Sequence, residues 1–303
     1  MAITESSSMR RAVKKRSRRR FTGLFYVLPL LVFVSVFTFF GIFYNIYIGM
    51  FEWTGIGPKL FVGLDNYVHL FQDANFYEAV GHTGYFLLVT IPLSMVLGLL
   101  LAILLNGVWK AEGVFKSIFF LPHVIAVVTI GTTFAGIYEP NFGLLNGVLK
   151  ALNLSGLTRS WLSEPSSALN AIAAVYIFAN SGFYMLIYYT SLLNIDQEIF
   201  EASKIDGAGV WRQCRYIIVP MLGGTHITLS ILGIIHALKV FDLVWIMTEG
   251  GPGGATELIS TFLFRESLLK YNTGYSGAVS VVLLLIAFGY TIFQLRVYNR
   301  MRR

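Results

Sequence analysis

Six long apolar runs, separated by segments that hold most of the charges, prolines and turn residues, set the first limit on how this chain can fold. The first begins at Phe21 and continues to about Ile48, and five more follow at about 83–106, 117–138, 168–192, 222–248 and 277–298. Each is about the 20 residues that a helix needs to cross a bilayer. Only 13% of the 303 residues are charged, about half the share of a soluble domain, so the chain cannot cover a water-facing surface. The pattern predicts an all-α integral membrane protein with six transmembrane helices and excludes an ordinary soluble enzyme. A secretory signal has a shorter apolar core, so the first run reads as a retained anchor. The lone cysteine, Cys214, excludes an internal disulfide or a multi-Cys zinc site, and no His/Cys/Glu cluster has metal-ligand spacing.

Lys and Arg in the connecting segments fix the expected orientation. With the N-terminus inside, 17 of the 23 basic residues fall on the cytosolic side, eight of them in the tail at 1–20, and 5 fall outside. Lys239 lies within a span. Both termini are therefore expected in the cytosol, with residues 299–303 as a short C-terminal end. The basic tail reads as an orientation signal attracted to anionic lipid, with no nucleic-acid partner. Residues 49–82 and 139–167 form the long outer segments, the first with an expected short amphipathic helix near 75–82.

The cytosolic segment 194–220 carries the most specific pattern. Asp196 suits an N-cap, Glu198 adds charge to the first turn, and Ile195 with Phe200 can staple the cap. The helix should end at Gly207, where glycine takes the left-handed conformation without steric cost. A second helical stretch from Ala208 should run to Ile217, Ile218 and Pro220. An ordered elbow of this kind, with Ile199, Phe200 and Ile205 beside Glu201 and Lys204, suits docking on another protein.

Glu201-Ala202-Ser203, Asp206-Gly207-Ala208, Ile217 and Pro220 resemble the Glu-Ala-Ala loop of permease subunits of ATP-binding-cassette importers, with the spacing from Glu201 to Pro220 matched throughout. Ser203 stands for an alanine of that pattern, Val219 for a leucine, and Cys214 for a frequent aromatic. Phe241-Asp242 with Met247-Thr248-Glu249-Gly250-Gly251-Pro252, together with Phe119-Phe120-Leu121-Pro122 and Trp161-Leu162, is similar to the carbohydrate-uptake branch.

The resemblance implies a type I importer permease fold with a five-helix core over 83–298, with the first span packed around a neighbour. It also implies a second homologous permease subunit, two cytosolic ATPase subunits, an extracytoplasmic solute-binding protein, and a place in the plasma membrane of a prokaryote. The chain has no G-x-x-x-x-G-K-[ST] phosphate loop, so no cofactor is expected on it. ATP and magnesium belong to the partner ATPases. In this reading Glu201 pairs with a basic residue of the ATPase, Gly207 holds the turn, and the elbow transmits the ATPase motion to the membrane helices.

Polar residues within the spans are the candidates for a solute cavity. Gly233, His236, Ala237 and Val240 follow an i, i+3, i+4, i+7 stripe, and in the family this face lines the cavity. His236 offers a sugar hydroxyl a partner and Gly233 leaves room for a ring, although a neighbouring helix could satisfy the histidine equally well. Asn180 and Tyr184 on the fourth span, with Ser181 and Gly182 between them, and His123 on the third complete the set. Lys239 and Asp242, three residues apart, are expected to neutralise each other.

Two rival classes are weaker. A secondary transporter should show two related halves and mid-membrane acids. A lipid-synthesising phosphotransferase, to which Asp206-Gly207 alone is similar, needs further spaced aspartates that are absent. Glycerol phosphates and polyols remain alternative solutes within the same family.

Overall fold

The computed structural model describes residues 26–106 and 112–301; the basic tail, Lys110, Arg302 and Arg303 lie outside them. The chain opens with α1 (Tyr26–Ile48) and a two-residue hairpin of β1 (Phe51–Glu52) and β2 (Leu60–Phe61). The helices α2 (Asp65–Leu70), α3 (Ala74–Asn106), α4 (Glu112–Val124), α5 (Val127–Ile137), α6 (Leu144–Ala151) and α7 (Pro165–Leu192) follow. The elbow consists of α8 (Gln197–Ile205) and α9 (Val210–Met221). The C-terminal part contains α10 (Gly223–Leu238), α11 (Asp242–Thr248), α12 (Ile259–Phe264) and α13 (Thr273–Met301). Four helices, α1, α3, α7 and α13, are individually long and apolar enough to cross a bilayer, and two bent pairs, α4 with α5 and α9 with α10, bring the number to as many as six if each pair is one span.

The differences from the sequence expectations have local causes. No separate helix occupies 75–82: α3 runs unbroken from Ala74, and the short outer helix is α2 instead. The third apolar run is bent by 91° between α4 and α5, at Ala126, whose ψ of 132° takes the chain out of the helix before α5 restarts; Pro122 lies within α4. The fifth run is interrupted at Lys239–Phe241, where α10 ends and α11 begins. Hydropathy averages cannot register such bends, because the residues on both sides stay apolar. Breaking a helix inside a membrane frees backbone groups that need new partners. At the second break the Ser260 hydroxyl donates to the Val240 carbonyl.

Inside lipid the apolar environment does not by itself drive helices together, so close packing and hydrogen bonds carry the association. The α3–α7 pair is the most extensive contact, and it anchors two buried clusters. One gathers Phe86, Ile172, Val175 and Val244; the other gathers Met185, Tyr188, Leu222 and Leu229. A third, at the end away from the elbow, joins Leu70 and Phe76 to Phe262, Tyr275 and Val279. There the Tyr275 hydroxyl donates to Asp73 Oδ2 at 2.7 Å and the Asn75 amide to Oδ1 at 2.9 Å. Partial burial raises the Asp73 carboxyl, but these hydrogen bonds outweigh it and leave the group below the usual carboxylate range. By contrast, α1 is almost wholly exposed until Ile48 and touches the rest chiefly through α13.

Candidate functional site

Two places combine the polar residues singled out in the sequence. The first is the elbow. Asp196 occupies the N-cap position of α8, yet its side chain makes no capping hydrogen bond, and Ile195 and Phe200 both pack on the Tyr188–Leu192 cluster. The C-terminus is closed by two backbone bonds, Gly207 N–H to the Lys204 carbonyl at 3.0 Å and Ala208 N–H to the Ser203 carbonyl at 2.9 Å. With Gly207 at φ +76°, this is the paired closure that a glycine after the helix end permits.

The second helix of the elbow starts at Val210 rather than Ala208. Ser203 does more than replace an alanine: it is buried, and its hydroxyl accepts the Gln213 amide at 2.9 Å, tying α8 to α9. Glu201, Ala202, Asp206 and Ile205 are exposed. Glu201 has no hydrogen-bond or ion-pair partner among the described residues. Pro220 lies in the last turn of α9, just before a 69° bend into α10.

The second place is a cavity of about 230 Å³ where the two broken spans face α7. The start of α5 contributes Val127 and Ile130, α7 contributes Tyr176 and Asn180, and the region from α10 to α11 contributes His236 and Lys239 to Leu243. Asn180 Nδ2 donates to the Tyr176 carbonyl at 2.9 Å. His123 lies beside Asn180, and the Phe183 ring stands between the two histidines, 5.0 Å from His123 and 6.0 Å from His236.

Of the seven cavity candidates, Asn180, His236 and Val240 line this space and His123 adjoins it. Gly233, Tyr184 and Ala237 do not: all three are buried in helix packing. A Cβ on Gly233 would come within 2.2 Å of the Tyr184 hydroxyl, so the space expected for a sugar ring is filled by a tyrosine.

The expected neutralisation of Lys239 by Asp242 is also absent. Both side chains are exposed at the cavity, and neither forms an ion pair or hydrogen bond among the described residues. The reason is the break itself. The i, i+3 relation brings side chains together only on a continuous helix, and these two sit on opposite sides of the interruption. Sequence reasoning therefore passed over two charged cavity residues; the signal was a Lys and an Asp at a mid-span site whose helix did not have to be continuous. His226, in contrast, is fully engaged, with Nδ1 2.7 Å from the Tyr188 hydroxyl and Nε2 3.0 Å from the Val219 carbonyl. The carbonyl can only accept, so Nε2 carries the proton and Nδ1 accepts from the tyrosine.

The Gly250–Pro252 stretch forms a tight loop beyond α11. It is closed by the Thr256 hydroxyl on the Gly251 carbonyl at 2.7 Å and by Arg265, which reaches the Glu249 carbonyl at 2.6 Å and Glu257 Oε1 at 2.7 Å. The next residues dock on α3 through the Ile259 amide and the Thr83 hydroxyl, 2.9 Å apart. The Gly250–Pro252 part of the motif thus supports the end of the broken span, while its Phe241 and Asp242 line the cavity.

Comparison with known proteins agrees with this architecture. One chain of a solved bacterial ABC transporter involved in import of the acidic polysaccharide alginate superposes with a TM-score of 0.82, covering 96% of this chain and 99% of that one at 21% identity. The probable ABC transporter permease protein YurN of Bacillus subtilis is 35% identical over 277 residues, covering 90% of this chain and 94% of YurN. The trehalose/maltose transport system permease protein MalF of Thermococcus litoralis is 33% identical over 294 residues, covering 96% of this chain and 97% of MalF. Residues 76–303 match the family described as "binding-protein-dependent transport system inner membrane component". The chain belongs to that family, the membrane-embedded permeases of ABC importers.

Proposed function

We propose that this permease forms one half of the pathway of an ATP-driven sugar importer, with the cavity at the two broken spans as the solute station and the 196–211 elbow as the input from a cytosolic ATPase. The observation that carries the reading is the pairing of those two features on one chain: an open cavity whose His236, Lys239 and Asp242 side chains form no hydrogen bond or ion pair among the described residues, and an exposed elbow joined directly to the same broken span through α9. Discontinuous helices around a polar site are how membrane proteins present backbone and side-chain partners to a solute. A sugar, rich in hydroxyls, suits a lining that mixes Asn180, His236, Lys239 and Asp242 with the rings of Tyr176 and Phe241.

A second, related permease subunit completes the pathway, two ATPases dock on the paired elbows, and a solute-binding protein delivers from the outside. Both termini lie in the cytosol. ATPase closure shifts the elbow and rocks the helices between inward- and outward-facing states, a rigid-body change. Reversing such an equilibrium from 1:99 to 99:1 needs about 5.5 kcal/mol of differential binding.

One feature favours a second reading. Lys239, without an ion pair among the described residues, also suits an anionic solute, such as a glycerol phosphate, within the same family. Uptake by proteoliposomes holding the complete assembly tests both: the main reading requires ATP-dependent uptake of a neutral sugar that stops with a hydrolysis-dead ATPase. Uptake that continues without hydrolysis contradicts it, and preference for a phosphorylated solute selects the second.

A further inference from the structure

The outward face of α9 carries chemistry that the elbow does not use. Its inner side is occupied: Ile218 is buried and Gln213 is tied to Ser203. Its outer side presents Trp211, 76% exposed, and Tyr216, 72% exposed, with Arg212 and Arg215 also exposed. Between Trp211, Cys214, Arg215, Tyr216 and Val219 lies a groove of about 320 Å³. Residues Cys214–Ile218 form a π-turn, a local widening of the helix that is frequent at functional sites. Arg215 has no ion pair among the described residues, and its nearest ring is Tyr216, 5.9 Å from the guanidinium carbon.

Orientation points to the occupant. With α10 crossing the bilayer, as its apolar length suggests, the 69° bend between the two helices turns α9 toward the membrane plane. Exposed Val219 and Met221 continue its surface toward α10, whereas exposed Glu201, Ala202 and Ile205, on the face proposed to meet the ATPase, lie on α8. Helices in this position bury aromatic and aliphatic side chains among acyl chains and offer basic groups to headgroups. Arginine presents a planar fork that matches phosphate.

We infer that the Arg215 groove binds the phosphate of an anionic phospholipid of the inner leaflet, with its acyl chain along Trp211 and Val219, so that the lipid braces α9 and, through Gln213 and Ser203, the coupling helix α8. The inference stands independently of the transported solute.

Native mass spectrometry of the full chain in neutral detergent, titrated with phosphatidylglycerol or with phosphatidylcholine of the same acyl chains, tests it. The anionic lipid should be retained about fivefold more strongly, the contribution of one basic side chain at an anionic surface. Arg215→Gln should lower the preference about fivefold and Arg215→Lys should keep most of it. In the unaltered protein, brominated phosphatidylglycerol should quench a tryptophan signal that Trp211→Phe removes. Equal retention of the two lipids, a preference unchanged by Arg215→Gln, or displacement of the lipid by inorganic phosphate would overturn the inference. So would loss of a co-expressed ATPase in Arg215→Gln with the lipid preference intact, since that assigns the groove to protein docking.

Discussion

The elbow and the cavity are built from opposite kinds of information. In the elbow the bonds that form the turn are local: Gly207 and Ala208 bond back to Lys204 and Ser203, and Ser203 reaches only as far as Gln213. The cavity assembles residues from Val127 to Leu243, and its shape depends on two helix breaks whose consequences are felt far along the chain. A local device can be read and mutated one residue at a time. The cavity responds to packing partners that no spacing rule identifies.

The sharpest way to break this contrast is Gly207→Pro. Proline cannot adopt φ +76° and removes the amide that bonds to Lys204, a local penalty of about 3 kcal/mol or more. Coupled uptake should fall at least about tenfold while the protein remains in the membrane at normal abundance. Uncoupled but otherwise normal ATP hydrolysis by the assembly is the accompanying sign, and intact coupling contradicts the elbow's role.

Gly233→Ala examines the non-local side. The added methyl meets the Tyr184 hydroxyl, so overpacking should cost about 1–3 kcal/mol, seen as a lower unfolding temperature of the solubilised protein. Tyr184→Phe removes that hydroxyl and should restore most of the loss. Additivity of the two changes would show that the contact does not exist.

Asp73 offers a pH-dependent version of the same comparison, because its hydrogen-bond donor Tyr275 is 202 positions away. Its folded pKa is depressed, so its contribution is present above the ordinary carboxylate range and is lost as pH falls below about 4. Since the group is partly solvated, the effect should be about 1 kcal/mol. Unfolding temperatures of the native protein should drop in that window, and Asp73→Asn should flatten the drop; an identical acid profile in the variant removes Asp73 as its source.

The smallest stability effect belongs to Lys239→Gln and Asp242→Asn. Neither side chain forms a hydrogen bond or ion pair among the described residues, so each replacement should change stability by no more than about 0.5 kcal/mol, while solute-dependent transport shifts in KM. A larger loss of stability would restore the ion pair that the sequence implied.

Composition and run length were enough to anticipate an all-helical membrane chain with several apolar spans, because a bilayer imposes length and polarity on every span. The elbow was legible for a similar reason, as glycine at a helix end and the Glu201–Pro220 spacing are local signals. The breaks were not. Neither Ala126 nor Lys239 announces a bend by its residue type, and whether a span bends depends on groups such as Ser260 that receive the freed backbone. The same limit explains Gly233: a small residue leaves room, and only the packing of α3 and α7 decides that Tyr184 takes it.

The central claim is that the double break lies on a pathway opened alternately to the two sides of the membrane. Cysteine accessibility tests it most directly, with Cys214→Ser as the background and Val240→Cys at the cavity. In the complete assembly, a membrane-impermeant thiol reagent should label Val240→Cys from one side without nucleotide and from the other with ATP trapped, and the transported sugar should protect it. Labelling that is the same from both sides in every state, or indifferent to the sugar, would contradict the account.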